Sequence, residues 1–286
     1  MSWLHRHRGL TPYLLLAPGL IFLLAFFVVP LGFLAYQSLE SGNQATLTYS
    51  FTWAWSNYWD ALRNYKGHFI RSFEYAGIAT ALALVLSYPV AYWIAFRGGR
   101  WKNLLLLFIV APFFVTYLIR TLAWETILAD QGPVVGILRD LHILSDDGRL
   151  LATSTAVVAG ITYNFFPFMA LPLYVSLEQI DQQLIEAAQD LYASKWRAFL
   201  KVTLPLSLPG VIAGTLLTFI PAVGDFINAA LLGNRDTQMI GNVIQSKFLN
   251  ITDYPAAASL SFILMVGILV LVIIYARALG AERLTG

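Results

Sequence analysis

The stretch Pro12–Tyr36, "PYLLLAPGLIFLLAFFVVPLGFLAY", contains no charged side chain. About 20 such residues wound as a helix cross the hydrocarbon core of a bilayer. Five further runs are similarly long and mostly apolar: Phe69–Phe96, Leu104–Leu128, Ala152–Leu177, Pro209–Leu232 and Pro255–Tyr275. Only 12% of the chain is charged, against roughly 25% in soluble globular proteins. That is too little to cover a solvated surface, so the expected fold is all-α, a polytopic membrane protein of about six transmembrane helices.

The opening "MSWLHRHRGL" carries the positive charge of a secretory signal. The apolar run behind it exceeds the roughly 7–15 residues of a signal core, and no small-residue cleavage site follows. A retained helix is expected. Lys and Arg favour one set of loops, through Arg6, Arg8, Arg97, Arg100, Lys102, Lys195, Arg197, Lys201, Arg277 and Arg283. The opposite loops hold Arg63, Lys66, Arg139, Arg149, Arg235 and Lys247. The positive-inside rule then places both termini in the cytoplasm.

Several activities lack their residues. There is no G-x-x-x-x-G-K-[ST] phosphate loop, no H-E-x-x-H zinc helix and no G-x-S-x-G nucleophile elbow. His5, His7, His68 and His142 are scattered, and "HRH" near the start reads as a basic membrane-flanking patch before a metal site. Without Cys there is no disulfide or thiol chemistry. A net charge of +2 does not point to nucleic acid.

The densest charge lies between the fourth and fifth runs, in "EAAQDLYASKWRAFLKVTLPLSLPG", Glu186–Gly210. Leu184, Ala187, Ala188 and Leu191 recur at helical spacing, with Glu186, Gln189 and Asp190 largely off that face. After Ser194 a second short pattern offers Trp196, Phe199, Leu200 and Thr203, with Arg197 and Lys201 to one side. Pro205 and Pro209 then end the helix and allow return to the membrane. The pattern fits an amphipathic helix on the headgroups or a helix–turn–helix that docks in a partner's groove.

This stretch resembles the EAA loop of bacterial ABC-importer permeases: E-A-A, then D-L-G-A, then L-P. The segments "LIRTLAWETIL", "YNFFPFMALPLYVSLEQID", "TFIPAVGDFINAALLG" and "MIGNVIQSKFLNITDYPAAAS" are similar to the spermidine/putrescine branch of that family. The resemblance implies a type I ABC importer permease fold. It divides the chain into residues 1–68 (first helix and extracytoplasmic loop), a core at 69–277 with the coupling loop at 178–208, and a tail at 278–286. It further implies import of polyamines, or of another small solute such as an opine, an amino-acid derivative or a phosphonate, across the bacterial inner membrane. A non-transport membrane scaffold is the reading from another class. Implied partners are a second homologous permease, an ATPase dimer and an extracytoplasmic solute-binding protein. ATP and Mg would sit on the ATPase, with no cofactor on this chain. The coupling residues would be Glu186, Ala187, Ala188, Asp190, Leu191, Tyr192, Ala193, Ser194, Phe199, Leu204 and Pro205.

Two residues depart from the pattern. Tyr192 stands where relatives have Gly, at a turn that favours the left-handed conformation. Either the first helix continues through Tyr192, or the ring packs against the ATPase. Ala230 stands where polyamine relatives often carry an acid.

Ionisable groups inside spans mark function by default. Here they are Arg120 and Glu125 in the third run, Asp225 in the fifth, and Glu74 near the start of the second. On a continuous helix Asp225 would share a face with Thr218, Pro221 and Ala222. It would then either attract a solute ammonium group, helped by rings of Tyr117, Trp124, Tyr163, Phe166 and Phe168, or pair with Arg120. Trp53, Trp55, Tyr58 and Trp59 in the first outer loop suggest an amphipathic helix on the membrane surface.

Overall fold

Each apolar run becomes helical because backbone groups in hydrocarbon must bond within their own segment. The computed structural model describes residues 11–44, 46–145 and 147–278. His5, His7, Arg6, Arg8, Arg283 and most of the expected tail lie outside them. Four helices have the length and composition to span a membrane, and two bent pairs bring the number to six among the described residues.

The first unit comprises the described residues up to Asn64 together with Ile244–Ile263. It opens with α1 (Thr11–Leu23), a π turn (Leu24–Val28) and α2 (Val29–Ser38). Of Leu15–Ser38 only Ser38, at the end of α2, is buried. A hairpin follows, where Glu40–Asn43 (β1) pairs antiparallel with Thr48–Phe51 (β2). The Tyr49 hydroxyl donates to the Thr252 carbonyl at 2.6 Å, and its ring meets Tyr254 edge-on at 5.9 Å. The surface helix expected around Trp53 is replaced by this hairpin and a turn. Trp53 has φ 52° and packs edge-on against Phe51, while Tyr58 and Trp59 already belong to the next helix.

That helix, α3 (Ser56–Arg97), has 42 residues. At about 1.5 Å per residue it is roughly twice as long as the hydrocarbon core is thick. The sequence reading caught its apolar part from Phe69 and missed the polar turns before it.

The second unit comprises Tyr65–Val243 with the described residues from Leu264 on. The third run is broken rather than straight: α4 (Lys102–Val110) leads through a 3₁₀ turn to α5 (Tyr117–Leu128) and α6 (Pro133–Asp140). The two arms meet at 95°. Pro112 lies in the 3₁₀ turn, and Val115 is extended (φ −101°, ψ 136°). At the centre lies α7 (Ser154–Glu178), capped by the Thr153 hydroxyl, which accepts from Ala156 N–H. Met169, Leu173 and Leu177 recur at i, i+4 and i+8 on its buried face and join Ala83, Ala91 and Ile180 in one apolar core.

Two short helices, α8 (Gln182–Asp190) and α9 (Lys195–Ala198), form the loop after α7. A π turn (Phe199–Thr203) and α10 (Leu204–Leu206) lead to α11 (Leu208–Val223). The segments Lys195–Leu206 and Leu208–Val223 meet at 60°, as the two prolines foretell. Small residues let α11 close on α7, since a Cβ on Gly210 would lie 2.7 Å from the Pro172 carbonyl oxygen. The fifth run stops earlier than expected: α11 ends at Val223, and Gly224, Asp225 and Phe226 separate it from α12 (Ile227–Leu232). Two further α-helices follow among the described residues, α13 (Ile240–Gln245) and α14 (Tyr254–Ala278).

Candidate functional site

Two constellations, both within the second unit, carry the sequence-predicted site residues. The first is the loop after α7. Asp181 caps α8 by accepting the Gln183 N–H at 2.9 Å, and Ser194 caps α9 by accepting the Arg197 N–H at 3.3 Å. Between them α8 closes in a Schellman turn: Ala193 N–H donates to Ala188 C=O at 3.1 Å and Tyr192 N–H to Gln189 C=O at 2.9 Å. Such a turn needs one residue in the left-handed region, and Tyr192 occupies it with φ 63°. The helix therefore does not continue through Tyr192. The ring is 97% exposed and Leu191 is 82% exposed.

On α8 the half-buried residues are Ile185 and Ala188, while Leu184, Glu186, Ala187 and Asp190 face out. The inward stripe is rotated by about one residue from the one the sequence suggested. Trp196 is also exposed and stacks on Phe199 at 5.4 Å. Phe199 in turn meets Tyr88 and Tyr92 of α3 edge-on, at 5.7 and 6.0 Å. Leu204 is half-buried and Pro205 exposed. The loop thus has a face packed on the membrane helices and a bare apolar face formed by Leu184, Leu191, Tyr192 and Trp196. Exposed apolar surface of this kind suits contact with a partner or with a membrane.

The second constellation is a buried polar cluster. Asp225 is 6% exposed. Its Oδ1 accepts the Asn228 backbone N–H at 2.8 Å, which ties down the start of α12 as a capping aspartate does. Its Oδ2 accepts from the Asn228 amide at 3.0 Å and from the Tyr117 hydroxyl. Asn164 of α7 donates to Thr121 Oγ1 and to Asn228 Oδ1, both at 3.2 Å. Four elements are joined: α5, α7, the break after α11, and α12.

Arg120 and Asp225 form no ion pair. The ion pairs among the described residues are Lys102–Glu178, Arg149–Asp130 and Lys247–Asp253. Arg120 is instead buried with its guanidinium carbon 5.4 Å from the Phe113 ring centre and 5.6 Å from that of Tyr117. Its Nε and Nη1 have no hydrogen-bond partner. The aromatic faces supply the attraction that a carboxylate was expected to provide.

The remaining path candidates scatter. Trp124 packs on Tyr163 at 5.3 Å. Tyr163 and Phe166 line an apolar cavity of about 650 Å³ with Trp93, Phe108 and Pro112. Phe168 meets Phe113 edge-on at 5.1 Å. Thr218 is fully buried with an unpartnered hydroxyl, and the break at Gly224 removes it from Asp225's helix. Thr121, Asn164 and Asn228 were missed. The signal was available, since each is a polar residue inside a mostly apolar run.

Residues 83–280 match the family described as binding-protein-dependent transport system inner membrane component. The chain belongs to this family. Among its relatives, the spermidine/putrescine transport system permease protein PotB of Haemophilus influenzae is 40% identical over 207 residues, 72% of each chain. PotB of Escherichia coli K12 is 39% identical over 209 residues, covering 73% of this chain and 76% of that one. A bacterial ABC transporter that imports the acidic polysaccharide alginate has the same fold, with a TM-score of 0.76 over 100% of this chain and 99% of that one, at 18% identity. The all-α permease architecture expected from the sequence is thereby established.

Proposed function

We propose that this chain is one permease subunit of an ATP-driven polyamine importer. Identity of 39–40% to two spermidine/putrescine permeases carries the substrate assignment. A second homologous permease would complete the path, with the core and coupling-loop boundaries near 69–277 and 178–208. Both termini would be cytoplasmic. An extracytoplasmic binding protein would deliver solute; an alginate transporter of the same fold forms a complex with a periplasmic protein that carries an alginate pentasaccharide. ATP and Mg would be held by a separate ATPase dimer.

The observation that carries the coupling role is the bare face of Leu191 and Tyr192 on a loop whose other face is anchored by Phe199. Two capped helices hold that face rigidly, so a groove that grips Tyr192 would move the base of α11 with it. Glu186, Asp190 and Ser194 would supply the polar rim around the apolar anchors. In the membrane, the Tyr117–Asp225–Asn228 cluster would shape the wall of the path, and Trp124, Tyr163 and Phe166 would present rings to the solute. Asp225 would act mainly by holding the wall, because both its oxygens are already engaged.

A second reading within transport is kept by Arg120. A buried guanidinium with unused donors suits a solute bearing a carboxylate or phosphonate better than a diamine. Labelled spermidine uptake by cells lacking the chain, rescued with the native sequence, tests the choice. Restored uptake supports the polyamine reading. Absence of uptake, with the ATPase still co-purifying, transfers the assignment to an anionic solute.

A further inference from the structure

The bend that separates the coupling loop from α11 is centred on Ser207, which is fully buried. Its backbone stays in register on both sides of the bend: Ser207 N–H donates to Thr203 C=O at 2.9 Å, and Val211 N–H to Ser207 C=O at 3.1 Å. The side chain has another role. Ser207 Oγ donates its one proton to the Leu204 carbonyl at 3.0 Å. It also lies 2.8 Å from the Tyr88 hydroxyl, and with its proton already committed it accepts there, so Tyr88 is the donor. Tyr88 belongs to α3, more than a hundred residues away in sequence.

The same tyrosine ring receives Phe199 edge-on at 5.7 Å, an interplanar angle of 88°. Phe199 begins the π turn of the loop, and π turns often lie at functional points of helices. One side chain of α3 therefore holds the loop through its ring and the bend through its hydroxyl. At the other end of the loop, Glu178 at the close of α7 pairs with Lys102. The loop is fixed to the membrane helices at its start and at its pivot, and its outer face between these points is free.

We propose that Tyr88 and Ser207 are positioning residues that convert movement of the loop into movement of α3 and α11 together. This rests on the coupling reading above. If the hydroxyl pair is lost, the loop still docks, but α11 can swing at Ser207 without carrying α3, and ATP is hydrolysed without transport. The pair lies on the side of the loop that packs on the membrane helices, away from the bare face, so it governs the yield of transport rather than ATPase assembly.

The test uses the complete transporter reconstituted in vesicles, with Tyr88→Phe, Ser207→Ala and the double variant, and reads solute accumulated per ATP hydrolysed. One lost hydrogen bond corresponds to about a fivefold change. Each single variant is expected to lower the ratio by about that factor, and the double variant by no more than either single. Ser207→Thr, which keeps the hydroxyl, is expected to restore the ratio, and it serves if a Tyr88 variant assembles poorly. An unchanged ratio in assembled variants overturns the relay alone, as does additive loss in the double variant. If no ATPase is recovered even with the native chain, the coupling reading itself fails, and the relay with it.

Discussion

The Tyr117 hydroxyl donates to the Asp225 carboxylate, and so ties α5 to the break that ends α11. Asn228 donates to the same carboxylate oxygen at 3.0 Å, so the three side chains form one knot in an apolar surrounding. Tyr117→Phe removes the hydroxyl and leaves Asp225 with Asn228 and the Ile227 backbone. A buried acceptor that loses a partner costs about 1–3 kcal/mol. The purified protein is therefore expected to melt lower, with uptake falling only in proportion to folded protein. Uptake lost at unchanged melting temperature would mean that the hydroxyl serves the solute instead.

The contact of α11 with α7 makes a sharper test of packing. Gly210→Ala would set a methyl 2.7 Å from the Pro172 carbonyl oxygen and 2.5 Å from Ser176 Cβ. Backbone cannot step aside as a flexible side chain can, so about 1–3 kcal/mol of destabilisation is expected. Gly77→Ala is the control. Its added methyl would meet nothing within 4 Å, and alanine in a helix gains roughly 0.5–1 kcal/mol over glycine. Thermal melting of the two variants should move in opposite directions.

These sites show what the sequence disclosed and what it hid. Runs of apolar residues located six membrane segments because the need for apolar length is local, and Pro205 and Pro209 announced a bend because proline acts on its own neighbours. The break at Gly224 left no such mark: "GDFINAALLG" is apolar on both sides of Asp225, and only the capping bonds of Asp225 to Asn228 reveal that a new helix starts there. The 95° turn after Phe114 was signalled weakly by Pro112. Whether Asp225 would meet Arg120 was beyond the sequence altogether, because it depended on which side of Tyr117 each group approaches. The pairing of Glu40–Asn43 with Thr48–Phe51 was hidden by the tryptophans that follow it, Trp53, Trp55 and Trp59, which drew attention to a membrane surface rather than to strand alternation.

In the outer hairpin, Tyr49 gives a pH-dependent handle. Burial raises its phenol pKa above the ordinary value, and the charges of Asp253, Tyr254 and Glu40 add to this. A raised folded-state pKa means that the stability tied to the neutral phenol is fully present below the unfolded value, about 10. It is lost as pH rises through the folded one. Ionisation would also remove the proton donated to Thr252. Native protein is expected to lose stability above about pH 10 more steeply than Tyr49→Phe. Parallel alkaline melting curves would show that the hairpin does not depend on this bond.

Tyr192 offers the most direct test of the docking face. Its φ of 63° is a conformation that costs a non-glycine residue roughly 1–2 kcal/mol. Tyr192→Gly relieves that strain, while glycine's greater freedom in the unfolded chain offsets part of the gain. Stability is therefore expected to stay level or to rise by up to about 1 kcal/mol. No intramolecular packing is lost, since the ring is 97% exposed. Affinity for the ATPase should move the other way. A tyrosine that fills a partner's pocket is commonly worth about 2 kcal/mol, more than tenfold in binding. A protein that folds as well as the native one or better, yet retains much less ATPase through purification, is the expected result. Equal ATPase recovery would strip Tyr192 of its role as an anchor, leaving Leu191 and Trp196 to hold the partner. The strained tyrosine would then have no functional account.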